Sequence, residues 1–430
     1  MIRKALNTLV LKIGSAFFNL LIAIMLSNCL GASGRGVQSL LLATISIIVT
    51  ITGLFGSAPL SFLYSKSSRL ALLWVSYLWA LVLSLIVLMV ISYVPIVPYD
   101  QVWHVVSISC ISSLGASNLS LFLAKERISA YNLLQALGPF VVFFWMLLEL
   151  SALGSLSVQS YIRSLYLSNG LIFIISFYGV IKLQSQIVFV KWSSFLSDTK
   201  AMFRYGFFNQ TAALVQMISY RGNYYLIGWI IGESAIGVYS NAIAIAESIW
   251  LIPRSIALVL YSKILNVTNE RAKQKIVKRA LAINALVQLW AITVLALIPE
   301  HLYVFLFGND FGEVRTVILW LLPSIFLYGQ TLVSSHYFSG TGRHYINMSS
   351  NLTGMMILIG MSSVLIPVLG LEGAAISTIL GYGSLLCIQH IGLRKHLGIG
   401  AMSGLKMLDL KVYLRYLKKK INYIVRRGDH

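Results

Sequence analysis

Apolar residues run along this chain in stretches of about 20 or more, broken by short polar islands, and the pattern recurs twelve times. A helix rising 1.5 Å per residue needs about 20 residues to cross a hydrocarbon layer about 30 Å thick. Lipid offers the backbone no hydrogen-bond partners, so each run closes its own bonds as a helix. The pattern predicts membrane-spanning helices at 9–30, 38–61, 71–94, 102–123, 129–150, 158–181, 206–231, 236–262, 280–299, 316–338, 346–369 and 372–392.

Composition agrees. Of 430 residues, 58% are hydrophobic and 11% charged, whereas a soluble domain carries about 25% charged residues. A net charge of +20 could suggest a nucleic-acid partner, but the charges lie in loops between spans, so none is expected. Cys29, Cys110 and Cys387 all fall in apolar runs, leaving no disulfide framework or CxxC metal site. No small-residue cleavage motif follows the first apolar stretch, which is read as a retained span.

Lys and Arg give the orientation. Twenty-seven of the 33 lie in one alternate set of segments: the N-terminus, the loops near 66–69, 125–127, 182–204, 263–279 and 343, and the tail from Arg394 to Arg427. The opposite set holds only Arg35 and Arg315. The basic side is therefore cytoplasmic, with both termini inside. The loops on the other side are short: the longest, Glu300 to Arg315, has about sixteen residues, and most of the others have fewer than about ten.

Two hairpins share a motif. Gly31-Ala-Ser-Gly-Arg-Gly36-Val37-Gln-Ser39 and Gly232-Glu-Ser-Ala-Ile-Gly237-Val238-Tyr-Ser240 both read G-x(4)-G-V-x-S, 201 residues apart, and Gly370-Leu-Glu-Gly373-Ala-Ala-Ile-Ser377 is a weaker echo. Glycines that merely make tight turns would explain each alone; the matched spacing, with six spans on either side, points to duplication. Six is even, so the halves share one orientation, as in parallel-repeat transporters whose sites lie between the repeats. The expected layout is an N-terminal six-helix lobe at 1–181, a basic cytoplasmic linker at 182–204, a C-terminal six-helix lobe at 205–392 and a basic tail at 393–430. That tail alternates apolar and basic residues and reads as an amphipathic helix on the anionic leaflet.

These segments resemble those of the Wzx-type polysaccharide flippases of the multidrug/oligosaccharidyl-lipid/polysaccharide exporter superfamily. Leu30-Gly-x-x-Gly-Arg-Gly36, Phe203-Arg-Tyr-Gly206, Gly237-Val-Tyr-Ser-Asn-Ala242 running on to Ile252-Pro253, Phe338-Ser-Gly-Thr-Gly342 and Ile366-Pro-Val-Leu-Gly-Leu-Glu-Gly-Ala-Ala375 carry the likeness, which rests on their order and spacing. It implies two six-helix lobes around a central cationic cavity in the bacterial inner membrane. The cargo it implies is an undecaprenyl-diphosphate-linked oligosaccharide repeat, moved from the cytoplasmic to the periplasmic leaflet for O-antigen, capsule or exopolysaccharide synthesis. It also implies a glycan polymerase and chain-length machinery as partners, no cofactor, and, as in some relatives, a proton or sodium gradient as the drive. The chain departs from the pattern at Ser27-Asn28, where relatives often place an Arg, and at Asn223, where they often place an acid.

The candidate chemistry is cationic. An Arg or Lys at mid-bilayer costs about 2.5–3.5 kcal/mol on insertion scales and so faces a cavity or a partner. Arg221 shares a face of span seven with Gln210, Met217 and Gly228, and its guanidinium could grip a diphosphate through two parallel bonds; a structural ion pair is the competing reading. Glu247 in span eight reaches a similar depth, so the two are expected to approach, with Glu247 either holding Arg221 or acting as a coupling switch. Arg254, two turns beyond Glu247 and just after Pro253, either lines the cavity or snorkels to the inner interface. Lys12, on a polar stripe with Ser15 and Asn19, and Arg163, near the external end of span six, have the same two readings. The charge within the spans thus reads as four cations against Glu247. His104, His336 and His390 show no metal-ligand spacing and read as satisfied packing residues. The serines of span four, Ser107, Ser109, Ser112, Ser113 and Ser117 with Asn118, read as close helix packing.

Three rivals stand beside the flippase. Nearest is a lipid II flippase for cell-wall synthesis, although those relatives usually carry additional spans. A multidrug or small-solute antiporter would want an anionic or aromatic cavity for organic cations. A membrane glycan polymerase or ligase would want a sizeable external catalytic loop.

Overall fold

The computed structural model describes residues 2–67, 71–94, 96–182 and 192–402, and helices with short turns account for all of the regular structure there. The expected amphipathic tail falls, from 403 on, outside the described residues, as does the 183–191 part of the basic linker. The chain packs as two compact units. The first, residues 1–241 with 300–314, holds α1 (Ile2–Thr52), α2 (Ser57–Ser67), α3 (Ala71–Tyr93), α4 (Val102–Ala124), α5 (Ile128–Leu153), α6 (Val158–Lys182), α7 (Trp192–Ile230), the start of α8 (Glu233–Ile249) and α11 (Glu300–Phe307). The second holds the rest of α8, α9 (Leu251–Leu265), α10 (Glu270–Leu297), α12 (Val314–Gly340) apart from its first residue, and α13 (His344–Leu397).

Among the described residues, nine helical stretches have the length and apolarity to cross a membrane. Two of these, Val10–Ser65 and His344–Leu397, are 56 and 54 residues long and hold two crossings each, joined at the non-helical Gly31 and Gly370. With α7 the crossings come to the twelve expected, and the protein is an all-α multi-pass membrane protein.

Packing within the first unit is inverted relative to a soluble protein. On α3, Trp74, Leu78, Leu81, Leu85 and Met89 point outward, while Ser76, Tyr77, Ala80 and Ser84 are buried. Without a hydrophobic force between helices in lipid, close approach and interhelical hydrogen bonds hold them together. The serines of α4 do this. Ser113 bonds Thr52 of α1 at 2.8 Å, Ser117 bonds Ser76 of α3 at 2.6 Å, and Asn118 accepts from Tyr77 and donates to Ser176 of α6.

Four features differ from the sequence expectation. Two spans break, one between Thr52 and Ser57 and the other at Trp250. The second break precedes Pro253, which sits in the first turn of α9, where a missing N–H costs nothing. Residues 192–204 of the expected linker are already helix, the opening turns of α7. The 300–315 loop is folded as α11 and a 3₁₀ turn, Asn309–Phe311, because Tyr303, Phe307, Phe311 and Val314 recur at helical spacing and are all buried. In the second unit, α9, α10, α12 and α13 enclose a core that includes Leu260, Leu281, Val333, Tyr337 and Leu393.

Candidate functional site: a cationic network where two hairpins meet

The first glycine of all three motifs takes a positive φ, 66° at Gly31, 125° at Gly232 and 60° at Gly370, a region L side chains avoid. The two full copies of the motif then pack on each other inside the first unit. A Cβ on Gly36 would collide with the carbonyl oxygen of Glu233, and a Cβ on Gly237 with that of Ala32. Ser39 bonds Ser240 at 2.8 Å, across a separation of 201 residues. Adding 201 to Ala32 gives Glu233 and to Gly36 gives Gly237, so each contact maps onto its counterpart. A local two-fold relates the hairpins, and its axis passes by the serine pair. The repeat visible in the sequence is thus a self-contact.

Arg35 sits in this contact, 7% exposed. Its Nε donates to Asn241 Oδ1 at 2.9 Å, and an Nη donates to Gln38. Asn241 in turn donates to Ser27 at 2.8 Å. Both partners of Arg35 are neutral amides, and among the described residues no ion pair reaches it. Its charge is therefore solvated by dipoles but not cancelled. Sequence reasoning counted Arg35 as a loop cation; the signal it offered was its place inside the repeated motif.

Arg221 lies close by on α7, half-buried, and the two positive charges oppose each other. Its Nη1 donates to Tyr224 Oη at 3.1 Å, and its guanidinium lies 5.4 Å from the centre of that ring. Tyr225 bonds Thr44 at 2.9 Å, and Asn223 donates to Tyr239 at 3.1 Å. Asn223, one of the positions where the chain departs from the flippase pattern, is thus a member of this network, whereas Asn28, the other, bonds the Leu306 carbonyl. The arrangement is a cluster of two guanidiniums, amides and tyrosine hydroxyls, rich in donors that suit an anion.

The other sequence candidates scatter. Gln210 lies a few turns earlier on α7 with its amide packed on Gly53. Lys12 and Asn19 are exposed on α1, whose Phe18 packs on Phe140 of α5 at 5.4 Å. Arg163 forks onto Glu149 of α5, with both bonds at 2.8 Å, and Trp145 donates to the same carboxylate. Glu149, and Glu372 at the start of the last span, are further acids within the spans, which alters the expected balance of four cations against Glu247. Glu247, half-buried, and Arg254, exposed, belong to the second unit. His104 meets Tyr166 and Gln159, His336 the carbonyl of Leu332, and His390 the amide of Ala401. Among the described residues no group of three His, Cys, Asp or Glu side chains could hold a metal.

Above the first hairpin the 300–314 segment forms a cap. Asp310 accepts from the Ala32 amide at 3.2 Å, satisfying an N–H at the start of the second helix of the pair, and Asn28 donates to the Leu306 carbonyl at 2.7 Å.

The fold is similar to those of several solved membrane transporters. The lipid II flippase MurJ in an inward closed conformation is similar, with a TM-score of 0.72 at 13% identity, over 97% of this chain and 93% of that one. An inward-facing multidrug resistance MATE transporter gives 0.69 at 15%, over 92% and 96%. A MOP-superfamily transporter from Pyrococcus furiosus, described as having a binding pocket of reverse polarity, gives 0.57 at 13%, over 92% and 95%. All three are transporters or flippases rather than enzymes, and at this identity the likeness establishes the fold. No family profile and no curated protein sequence matches the chain.

Proposed function

We propose that this chain is a flippase for polyprenyl-diphosphate-linked oligosaccharide repeat units, moving them from the cytoplasmic to the periplasmic leaflet for surface polysaccharide synthesis. The observation that carries the reading is Arg35, a buried guanidinium held by neutral amides beside Arg221. The charge that Arg35 keeps, in a site lined by hydroxyls and amides, selects an anionic, hydroxyl-rich cargo. Desolvating a diphosphate in hydrocarbon is prohibitive, and paired guanidiniums replace that hydration. The polyprenyl tail stays in lipid while the headgroup crosses by alternating access between two lobes, with no covalent step. The Lys and Arg distribution supports an inner-membrane setting with both termini cytoplasmic. Arg254, Lys12, Asn19 and Gln210 would extend the polar path, Glu247 would pair with Arg221 or couple transport to an ion gradient, and Arg163, already forked onto Glu149, would serve the external end. The product would pass to a glycan polymerase and chain-length machinery. In cells that depend on this chain for glycan export, Arg221→Ala is expected to abolish export while the protein still accumulates in the membrane; unimpaired export removes Arg221 from the mechanism.

A multidrug or small-solute antiporter is the second reading, and Glu247 favours it as an acid that could meet a cation. It predicts a drug-sensitivity phenotype on deletion with normal surface glycan. A polymerase or ligase fares less well, since the 300–314 segment is spent on capping the first hairpin.

A further inference from the structure

The opening turns of α7 form one wall of a groove of about 530 Å³ against α2, lined by Leu63, Ser197, Lys200, Ala201, Arg204 and Tyr205. Met202, fully buried, and Asp198, 3% exposed, anchor the opposite face of this part of α7 to the first unit. The ring of Phe62 on α2 stacks on Tyr205, a lining residue of the groove, with centroids 4.3 Å apart and an interplanar angle of 6°. Lys200 and Arg204 stand four residues apart, on one face of the helix. Both are exposed, and among the described residues neither pairs with a carboxylate. Leu196, Phe203 and Phe207 are exposed on the same turns. Two unpaired cations over an apolar floor, ringed by exposed aliphatic and aromatic side chains, match an amphiphile with a phosphate head. A soluble phosphate would find the cations but no use for the rim.

We propose that the α2–α7 groove binds the phosphate headgroup of an anionic phospholipid, drawn from the leaflet on the basic side of the protein. Lys200 and Arg204 contact the phosphate, and the acyl chains lie along Leu63 and the exposed residues of α7. The site is separate from the Arg35–Arg221 network and does not depend on which cargo is carried.

The test is lipid retention by the purified full-length chain, read by native mass spectrometry after titration with short-chain phosphatidylglycerol. The wild-type protein is expected to bind phosphatidylglycerol in preference to phosphatidylcholine. Lys200→Gln and Arg204→Gln should each weaken it about fivefold and the double variant about 25-fold, a juxtamembrane cation contributing about that factor. Lys200→Arg should keep the affinity, Arg221→Ala should leave it unchanged, and millimolar inorganic phosphate should not displace the lipid. Equal retention of the two lipids by the wild-type protein, or full retention by a folded double variant, overturns the proposal. Displacement by free phosphate overturns it too, assigning the groove to a soluble anion.

Discussion

The hairpins at 31–40 and 232–241 begin from the same motif and serve different ends. Both keep the glycines that let backbone touch backbone and the serine at the centre of the pair. They diverge at the positions between. Arg35 has Ile236 as its counterpart, Gln38 has Tyr239, Leu40 has Asn241, and Ser27 in the preceding helix has Gly228. In the first copy Arg35, Gln38 and Ser27 build a polar network. In the second, Ile236 is fully buried and packs tightly on Gly228, while Asn241 is lent across to Arg35. Duplication supplied a symmetric scaffold, and the chemistry was placed on it asymmetrically. The third echo, at Gly370, shares only the positive-φ turn, and its Gly373 packs on Leu365 of its own hairpin.

Substitutions can break or sharpen this contrast. The largest effect is expected from Ile236→Arg, which carries the first copy's cation to the second copy's buried apolar position. An uncompensated buried charge costs about 3–5 kcal/mol, read as loss of folded protein in a detergent thermal-unfolding assay. Gly36→Ala and Gly237→Ala come next, at about 1–3 kcal/mol each from overpacking against a carbonyl. Their costs should agree, and a clear inequality would break the local two-fold. Arg35→Ile, the reverse exchange, abandons the Gln38 and Asn241 amides at about 1–3 kcal/mol and is expected to abolish export even where the protein folds. Asp310→Ala removes the cap on Ala32 at about 1 kcal/mol, with no matching loss at Gly232, whose hairpin lacks this aspartate. Ser39→Ala and Ser240→Ala should be the mildest, about 1 kcal/mol or less, and the double variant should cost less than the sum of the singles because one bond is shared.

Much of the fold was legible because a bilayer imposes one rule on every helix. Apolar length fixed the crossings, and the glycine motifs marked the turns at Gly31, Gly232 and Gly370. The breaks after Thr52 and at Trp250 were not legible, because hydropathy does not register a local interruption inside an apolar run. The helical start of α7 was hidden by its charges, which read as a linker. Arg221 was legible as a cation stranded in an apolar run. Arg35 was not, since its burial comes from a segment some 200 residues away, and spacing along the chain carries no sign of which hairpins touch. Glu149 escaped notice at a span end, where carboxylates are ordinarily solvated; its bond to Arg163 depends on the packing of α5 against α6.

The central claim is that the buried Arg35, held by neutral amides beside Arg221, selects an anionic lipid-linked cargo. Its most direct test is reconstitution of the purified chain into liposomes with a fluorescent polyprenyl-diphosphate oligosaccharide, following headgroup translocation with an impermeant quencher. The prediction is protein-dependent translocation that falls about tenfold or more in Arg35→Gln and again in Arg221→Gln, the scale of one lost charge-assisted contact. Translocation unaffected by both substitutions, or transport of an organic cation in place of the diphosphate lipid, would contradict it.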